Sequence, residues 1–208
     1  MTKNLNLAGG TTISCNTSDC ENYAVPETQG WQSGGKLPES SKKGFATNNY
    51  AYVYNTNNNT DNCSNPGCYS YYSWDAATLG SGREISTDNQ NAPYSICPKG
   101  WHLPSTYNGT NSSTDFRALM IAYGGSESVQ NYGSSMFNKI KAGTAPNFLL
   151  AHFYYSNVFN NGVYHFYWSS TSGSGSNKAR TLGLDTGGVY SANDDTRYYG
   201  FAVRCLAR

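Results

Sequence analysis

Thr114-Asp115-Phe116-Arg117-Ala118-Leu119-Met120-Ile121-Ala122-Tyr123-Gly124-Gly125 carries the strongest helical pattern in the chain. Phe116, Leu119, Met120 and Tyr123 fall at the spacing of one helix face. A Thr/Asp pair stands where a cap is needed, and Gly follows as a stop. A second helix is expected over 134–141, with Met136, Phe137 and Ile140 inward and Gly143 ending it. Elsewhere the pattern changes to short strands and turns. Leu5 and Leu7 mark a short apolar strand candidate. Residues 48–55 read as a strand with Tyr50, Tyr52 and Tyr54 on one face, and Tyr71–Thr78 as another. Beyond about Phe148 the sequence shows only short strands separated by Gly, Asn and Ser turns. No linker, charge run or repeat divides the chain, so 1–208 is read as a single domain of the α+β class.

Composition supports that class. The chain has 208 residues, enough to bury a sizeable core, yet only 13% are charged. Soluble globular proteins usually carry about 25%. Its polar surface must come from Asn, Ser, Thr, Gly and Tyr, including 22 Gly and 18 Tyr. Gly and Asn supply the positive-φ positions of tight turns, whereas a helical bundle would need more Lys, Glu, Leu and Ala. The net charge is +1, and Lys42-Lys43 is the densest basic spot. Nucleic acid is therefore not an expected partner, because phosphate neutralisation needs clustered cations.

Six cysteines bear on the compartment. Cys15 and Cys20 share the spacing of Cys63 and Cys68, while Cys97 and Cys205 stand far apart. The simplest pairing is two local clips and one long bridge, among several connectivities that six cysteines allow. In the chain-entropy model the long bridge contributes roughly 4–5 kcal/mol and each clip roughly 2 kcal/mol. A zinc site would favour C-x2-C spacing with histidine partners, and His102, His152 and His165 show no such register. Disulfides imply an oxidising, extracellular or cell-surface location. No apolar run is long enough to span a membrane, so direct membrane insertion is not expected. Met1-Thr2-Lys3-Asn4-Leu5 is too polar to begin a signal peptide. The expectation is a piece excised from a longer surface protein.

Five ordered motifs give the chain a family likeness. They are Met1-Thr2-Lys3-Asn4-Leu5, Tyr72-Ser73-Trp74-Asp75-Ala76-Ala77, Cys97-Pro98-Lys99-Gly100-Trp101-His102-Leu103-Pro104, Tyr167-Trp168-Ser169-Ser170-Thr171 and Gly200-Phe201-Ala202-Val203-Arg204-Cys205. Together they resemble the paralogous surface-protein domain first noted in large numbers in Fibrobacter. That domain is similar to the C-type-lectin-like fold of formylglycine-generating enzymes and of the variable proteins of diversity-generating retroelements. The resemblance implies two helices packed on small antiparallel sheets with long loops. Trp74, Trp101 and Trp168 are then core aromatics, and the motifs name a scaffold before they name an activity.

The chemistry of an enzyme is hard to find. A formylglycine-generating oxidase, the enzymatic alternative, needs an accessible thiol of low pKa, and here every cysteine has a partner by spacing. There is no Gly-x-Ser-x-Gly elbow and no His-Glu-x-x-His. Asp194-Asp195 is the only adjacent acidic pair, and it reads as a solvated turn in place of a glycosidase pair. The Glu-Pro-Asn, Gln-Pro-Asp and Trp-Asn-Asp signatures of calcium-dependent lectins are absent. No cofactor or resident metal is assigned, although Asn193, Asp194 and Asp195 offer oxygens that suit calcium.

The resemblance places the binding face in the C-terminal third, within 160–200. The candidates are Tyr164, His165, Phe166, Tyr190, Asn193, Asp194, Asp195, Arg197, Tyr198 and Tyr199. Tyr gives large contact area at low entropic cost, and Asn and Ser give adaptable hydrogen bonds, as in antibody paratopes. Some of these residues are expected to alternate inward and pack. Adenine-directed mutagenesis of Asn codons yields such residues, so retroelement diversification fits the stretch. The expected protein is a monomeric, non-catalytic recognition or adhesion domain for a protein or glycan on another cell surface. A purely architectural surface module is a further alternative.

Overall fold

A computed structural model describes residues 12–13, 23–24, 53–55, 70–79, 81–82, 85–97, 100–107, 114–126, 131–141, 153–155, 158–160 and 164–208. In chain order the elements are β1 (Thr12–Ile13), β2 (Tyr23–Ala24), β3 (Val53–Asn55), β4 (Ser70–Tyr72), α1 (Trp74–Ala77), β5 (Trp101–His102), α2 (Asp115–Ala122) and β6 (Asn131–Gly133). They continue with α3 (Ser134–Lys141), β7 (Phe153–Tyr155), β8 (Val158–Asn160), β9 (His165–Ser172), β10 (Lys178–Asp185), β11 (Gly188–Thr196) and β12 (Leu206–Ala207). The class is α+β, with helices beside small antiparallel sheets.

Both expected helices form. Phe116, Met120, Met136, Phe137 and Ile140 are buried, whereas Leu119 is only partly covered, at the edge of the helix face. Thr114 occupies the N-cap of α2 with extended backbone but makes no side-chain cap bond. The Gly stop behaves as expected. Gly124 adopts φ 88°, its N–H reaches Ile121 O at 2.8 Å, and Gly125 N reaches Met120 O at 2.9 Å. That pair of bonds satisfies carbonyls left over at the helix end, and the left-handed residue between them favours glycine. Gly143 lies outside the described residues.

Two strand expectations need correction. Of the Tyr71–Thr78 region only Tyr71 and Tyr72 are strand, as the end of Ser70–Tyr72; Trp74–Ala77 is helical. The reason is local: the Ser73 hydroxyl accepts from Ala76 N and Asp75 lies in the first turn, a favourable helix start that the aromatic content masked. The C-terminal third also holds longer strands than expected, of 8, 8 and 9 residues. With β6 they form one antiparallel sheet in the order β6-β11-β10-β9.

This sheet separates two apolar clusters. On one side α2 and α3 bring Phe116, Met120, Phe137 and Ile140 against Tyr167, Leu182, Leu184 and Val189. The other holds Tyr72, Trp74, Ile96, Leu103, Trp168, Phe201 and Val203. Trp74 and Trp168 are fully buried, and each indole N–H finds a carbonyl. Trp74 donates to Ser169 O at 2.8 Å and Trp168 to Tyr72 O at 2.6 Å, so neither ring is buried with an unmet polar group. Trp101 is only partly covered and packs at the cluster's margin. Cys97 and Cys205 form the expected long bridge. The Cys15–Cys20 and Cys63–Cys68 clips, the Leu5/Leu7 strand and residues 48–52 lie outside the described residues.

Candidate functional site

The candidate binding residues fall on β9, on β11 and in the segment that follows β11. Strand pairing sets which of them meet. Gly183 of β10 lies opposite both Phe166 of β9 and Tyr190 of β11. A Cβ at Gly183 would come within 3.1 Å of the Phe166 ring and 3.7 Å of the Tyr190 ring. The missing side chain therefore gives two aromatic rings room to lie over the sheet. Phe166 stacks on Phe201 with centroids 4.9 Å apart. Phe201 meets Tyr199 edge-on at 6.0 Å, and Tyr199 meets Tyr198 at 5.1 Å. An aromatic path thus runs from Tyr190 across the sheet to Tyr198, which is 47% exposed. Phe166, Tyr190 and Tyr199 are half-buried along it.

A polar group lies next to this path on β11. Thr181 faces Asn193, and a register irregularity separates that pair from Gly183 and Tyr190. The Asp195 carboxylate accepts from Thr181 Oγ1 at 2.6 Å and from Asn193 Nδ2 at 2.9 Å. Burial pushes its pKa above the ordinary carboxylate value; Asp194 adds to the rise, while Thr181, Asn193 and Lys178 oppose it. Asp194 engages other partners. It accepts from the Ser174 hydroxyl and lies 3.9 Å from Arg180, whose guanidinium also grips both oxygens of Asp88 at 2.8 and 2.9 Å.

The solvated turn expected at Asp194-Asp195 is therefore a strand, and the two carboxylates diverge as strand neighbours must. Asn193, Asp194 and Asp195 do not converge on one point as a calcium cradle would require. Among the described residues no group of three His, Cys, Asp or Glu side chains is placed to hold a metal ion.

Two candidates are not exposed. His165 is buried at 3% exposure, because it lies on the same side of β9 as Tyr167, one residue before the strand turns Phe166 outward. Arg197 is also buried. Its Nε donates to Lys178 O at 2.9 Å, and its two terminal nitrogens donate to Gly82 O at 3.2 Å and Ile85 O at 2.9 Å. Its guanidinium stacks 4.3 Å from the Trp74 ring. Desolvation lowers its pKa from a value so high that the charge is kept. Tyr164 is exposed but stands off the aromatic path, at the sheet end where His165 pairs with Leu184. Thr181, Gly183 and Phe201 hold the face together and were not among the sequence candidates. The alternation of Ala179, Thr181 and Gly183 against Arg180, Leu182 and Leu184 is the signal that would have found the first two. Comparison of the chain with protein-family models, with curated proteins and with solved structures finds no match.

Proposed function

We propose that the chain is a non-catalytic, extracellular recognition domain of the C-type-lectin-like fold. Its ligand, a protein or glycan on another cell surface, docks on the face that carries Tyr190, Asn193, Tyr198 and Tyr199. The carrying observation is the aromatic path itself. Phe166 and Phe201 hold it from below, and it ends in a tyrosine that is 47% exposed. Rigid aromatic anchors with polar neighbours suit a binding face because little entropy is lost on contact. A non-catalytic role is supported by the chemistry of the cysteines described. Cys97 and Cys205 are buried in a disulfide, whereas a formylglycine-type oxidase needs an accessible thiolate. The resemblance further suggests that 160–200 is open to retroelement diversification, with Phe201 and Trp168 as the fixed support.

The test is binding of the protein and its Tyr190→Ala and Tyr198→Ala variants to arrays of glycans and cell-surface proteins. Each substitution should weaken an array signal by roughly 2 kcal/mol, about thirtyfold. Array binding unchanged in both variants would reject this face.

A further inference from the structure

We propose that the cavity beside the Cys97–Cys205 bridge is a second binding site, taking a neutral polyhydroxylated ring, one sugar residue, on a wall that includes Asp115 and Arg208. The inference does not depend on the aromatic face. The cavity has a volume of about 350 Å³, at the small end of the ligand-pocket range.

Its walls come from rigid, mutually pinned segments. Asn91 bridges to Thr171, and Ala92 N donates to Ser170 O at 2.8 Å. Ser170 N in turn donates to Pro104 O at 2.7 Å. Pairing of β12 with β5 sets Leu206 opposite His102, and Arg208 N donates to Gly100 O at 2.9 Å. Ser95, on the same wall, is two residues from bridged Cys97. Such a cavity is formed before a ligand arrives, which lowers the ordering cost of binding.

The polar groups narrow the ligand class. Asp115 opens α2, and its Oδ2 is saturated: Ser105 N and Ser105 Oγ donate at 2.8 Å each, and His102 Nε2 lies at 3.1 Å. The other oxygen, Oδ1, has no partner among the described residues and remains an acceptor. Asn91 Oδ1 takes the Thr171 hydroxyl at 2.6 Å, which turns its amide N–H groups to other partners. Arg208 contributes further donors. Among the side chains of the wall Asp115 supplies a carboxylate acceptor and Arg208 a guanidinium donor, so a ligand that offers both kinds of group meets a partner for each. A ligand hydroxyl both donates and accepts. A pair of adjacent hydroxyls therefore satisfies a carboxylate acceptor together with amide or guanidinium donors. Tyr94 and Pro93 offer apolar surface for the C–H face of a ring. A zwitterion is the weaker fit, because the Asp115 charge is already spread over three donors.

The experiment titrates the full chain with the methyl glycosides of glucose, galactose, mannose and N-acetylglucosamine, following the His102 imidazole by NMR. At least one glycoside should shift His102 with a millimolar dissociation constant. Arg208→Ala and Tyr94→Ala should each weaken it roughly tenfold, the effect of about one good hydrogen bond or ring contact. Both side chains lie at least partly in solvent, so melting temperatures should hold. Tyr198→Ala should leave the titration unchanged, which separates this site from the aromatic face. The proposal is overturned if none of the four glycosides moves His102 at about 50 mM, well above millimolar affinity. It is equally overturned if glycine or inorganic phosphate moves His102 where the sugars do not, or if Tyr198→Ala abolishes the response.

Discussion

Arg197 has the chemistry of a recognition residue and the position of a structural one. Three carbonyls from Gly82, Ile85 and Lys178 take its protons while its plane rests on Trp74. Lys cannot reproduce that planar fork. Arg197→Lys and Arg197→Ala should therefore both destabilise, the latter by about 3 kcal/mol or more in chemical denaturation, since bonds from a charged donor are worth roughly 1.5–3 kcal/mol each. Asp195 makes the opposite case, a polar group whose placement costs stability at neutral pH. Burial raises its folded-state pKa above the ordinary 3.8, so the folded protein binds the proton more tightly than the unfolded chain. Stability then falls as pH rises from the ordinary carboxylate range to the raised folded value. Asn at this position keeps an oxygen for Thr181 and Asn193 and carries no charge. Asp195→Asn should accordingly melt higher than the parent at about pH 8, with the gain shrinking towards pH 4. A gain that is the same at both pH values would show that the carboxylate does not titrate differently on folding.

Strand β9 assigns opposite duties to neighbouring residues. Tyr167 packs towards the helices, while Phe166 and Trp168 face the other cluster. Trp168 contacts Phe201 at 4.5 Å and donates to Tyr72 O, whereas Tyr198 lies at the exposed end of the aromatic path. Thermal melting should separate the two. Trp168→Ala should cost roughly 3–5 kcal/mol as a core truncation. Tyr198→Ala should stay within about 0.5 kcal/mol, as surface substitutions do. Equal losses would mean that Tyr198 is part of the core. The helices show how far local pattern reaches. The 3.6-residue spacing placed α2 and α3 within a residue or two of their observed ends, because helix hydrogen bonds join near neighbours in sequence. Over Tyr71–Thr78 the local pattern points to a strand instead, since aromatic β propensity outweighs the four-residue signature of a Ser73 cap.

The Cys97–Cys205 bridge spans a sequence separation of 108. It ties the segment after β4 and α1 to the last strand, next to Trp168, Phe201 and Val203. A loop of that length contributes about 4.7 kcal/mol in the chain-entropy model. Cys97→Ser/Cys205→Ser should therefore lower the melting temperature by roughly 10–20 °C. Because both sulfurs are buried, reductant should open the bridge only as the protein unfolds, which thiol labelling against denaturant concentration measures. By itself the sequence determined the α+β class, the two helices, the pairing of the distant cysteines and the aromatic identity of the core. Each of these follows from local periodicity or from which partner is left over. Only the tertiary structure decided which tyrosines and charges of the C-terminal third reach solvent. His165, Arg197 and Tyr198 look alike as polar-tipped residues in one stretch. Their fates differ because Trp74, Gly82 and Ile85, all more than a hundred residues earlier in sequence than Arg197, or the apolar face of β9, cover the first two. No short window of sequence records which distant segment will close over a strand.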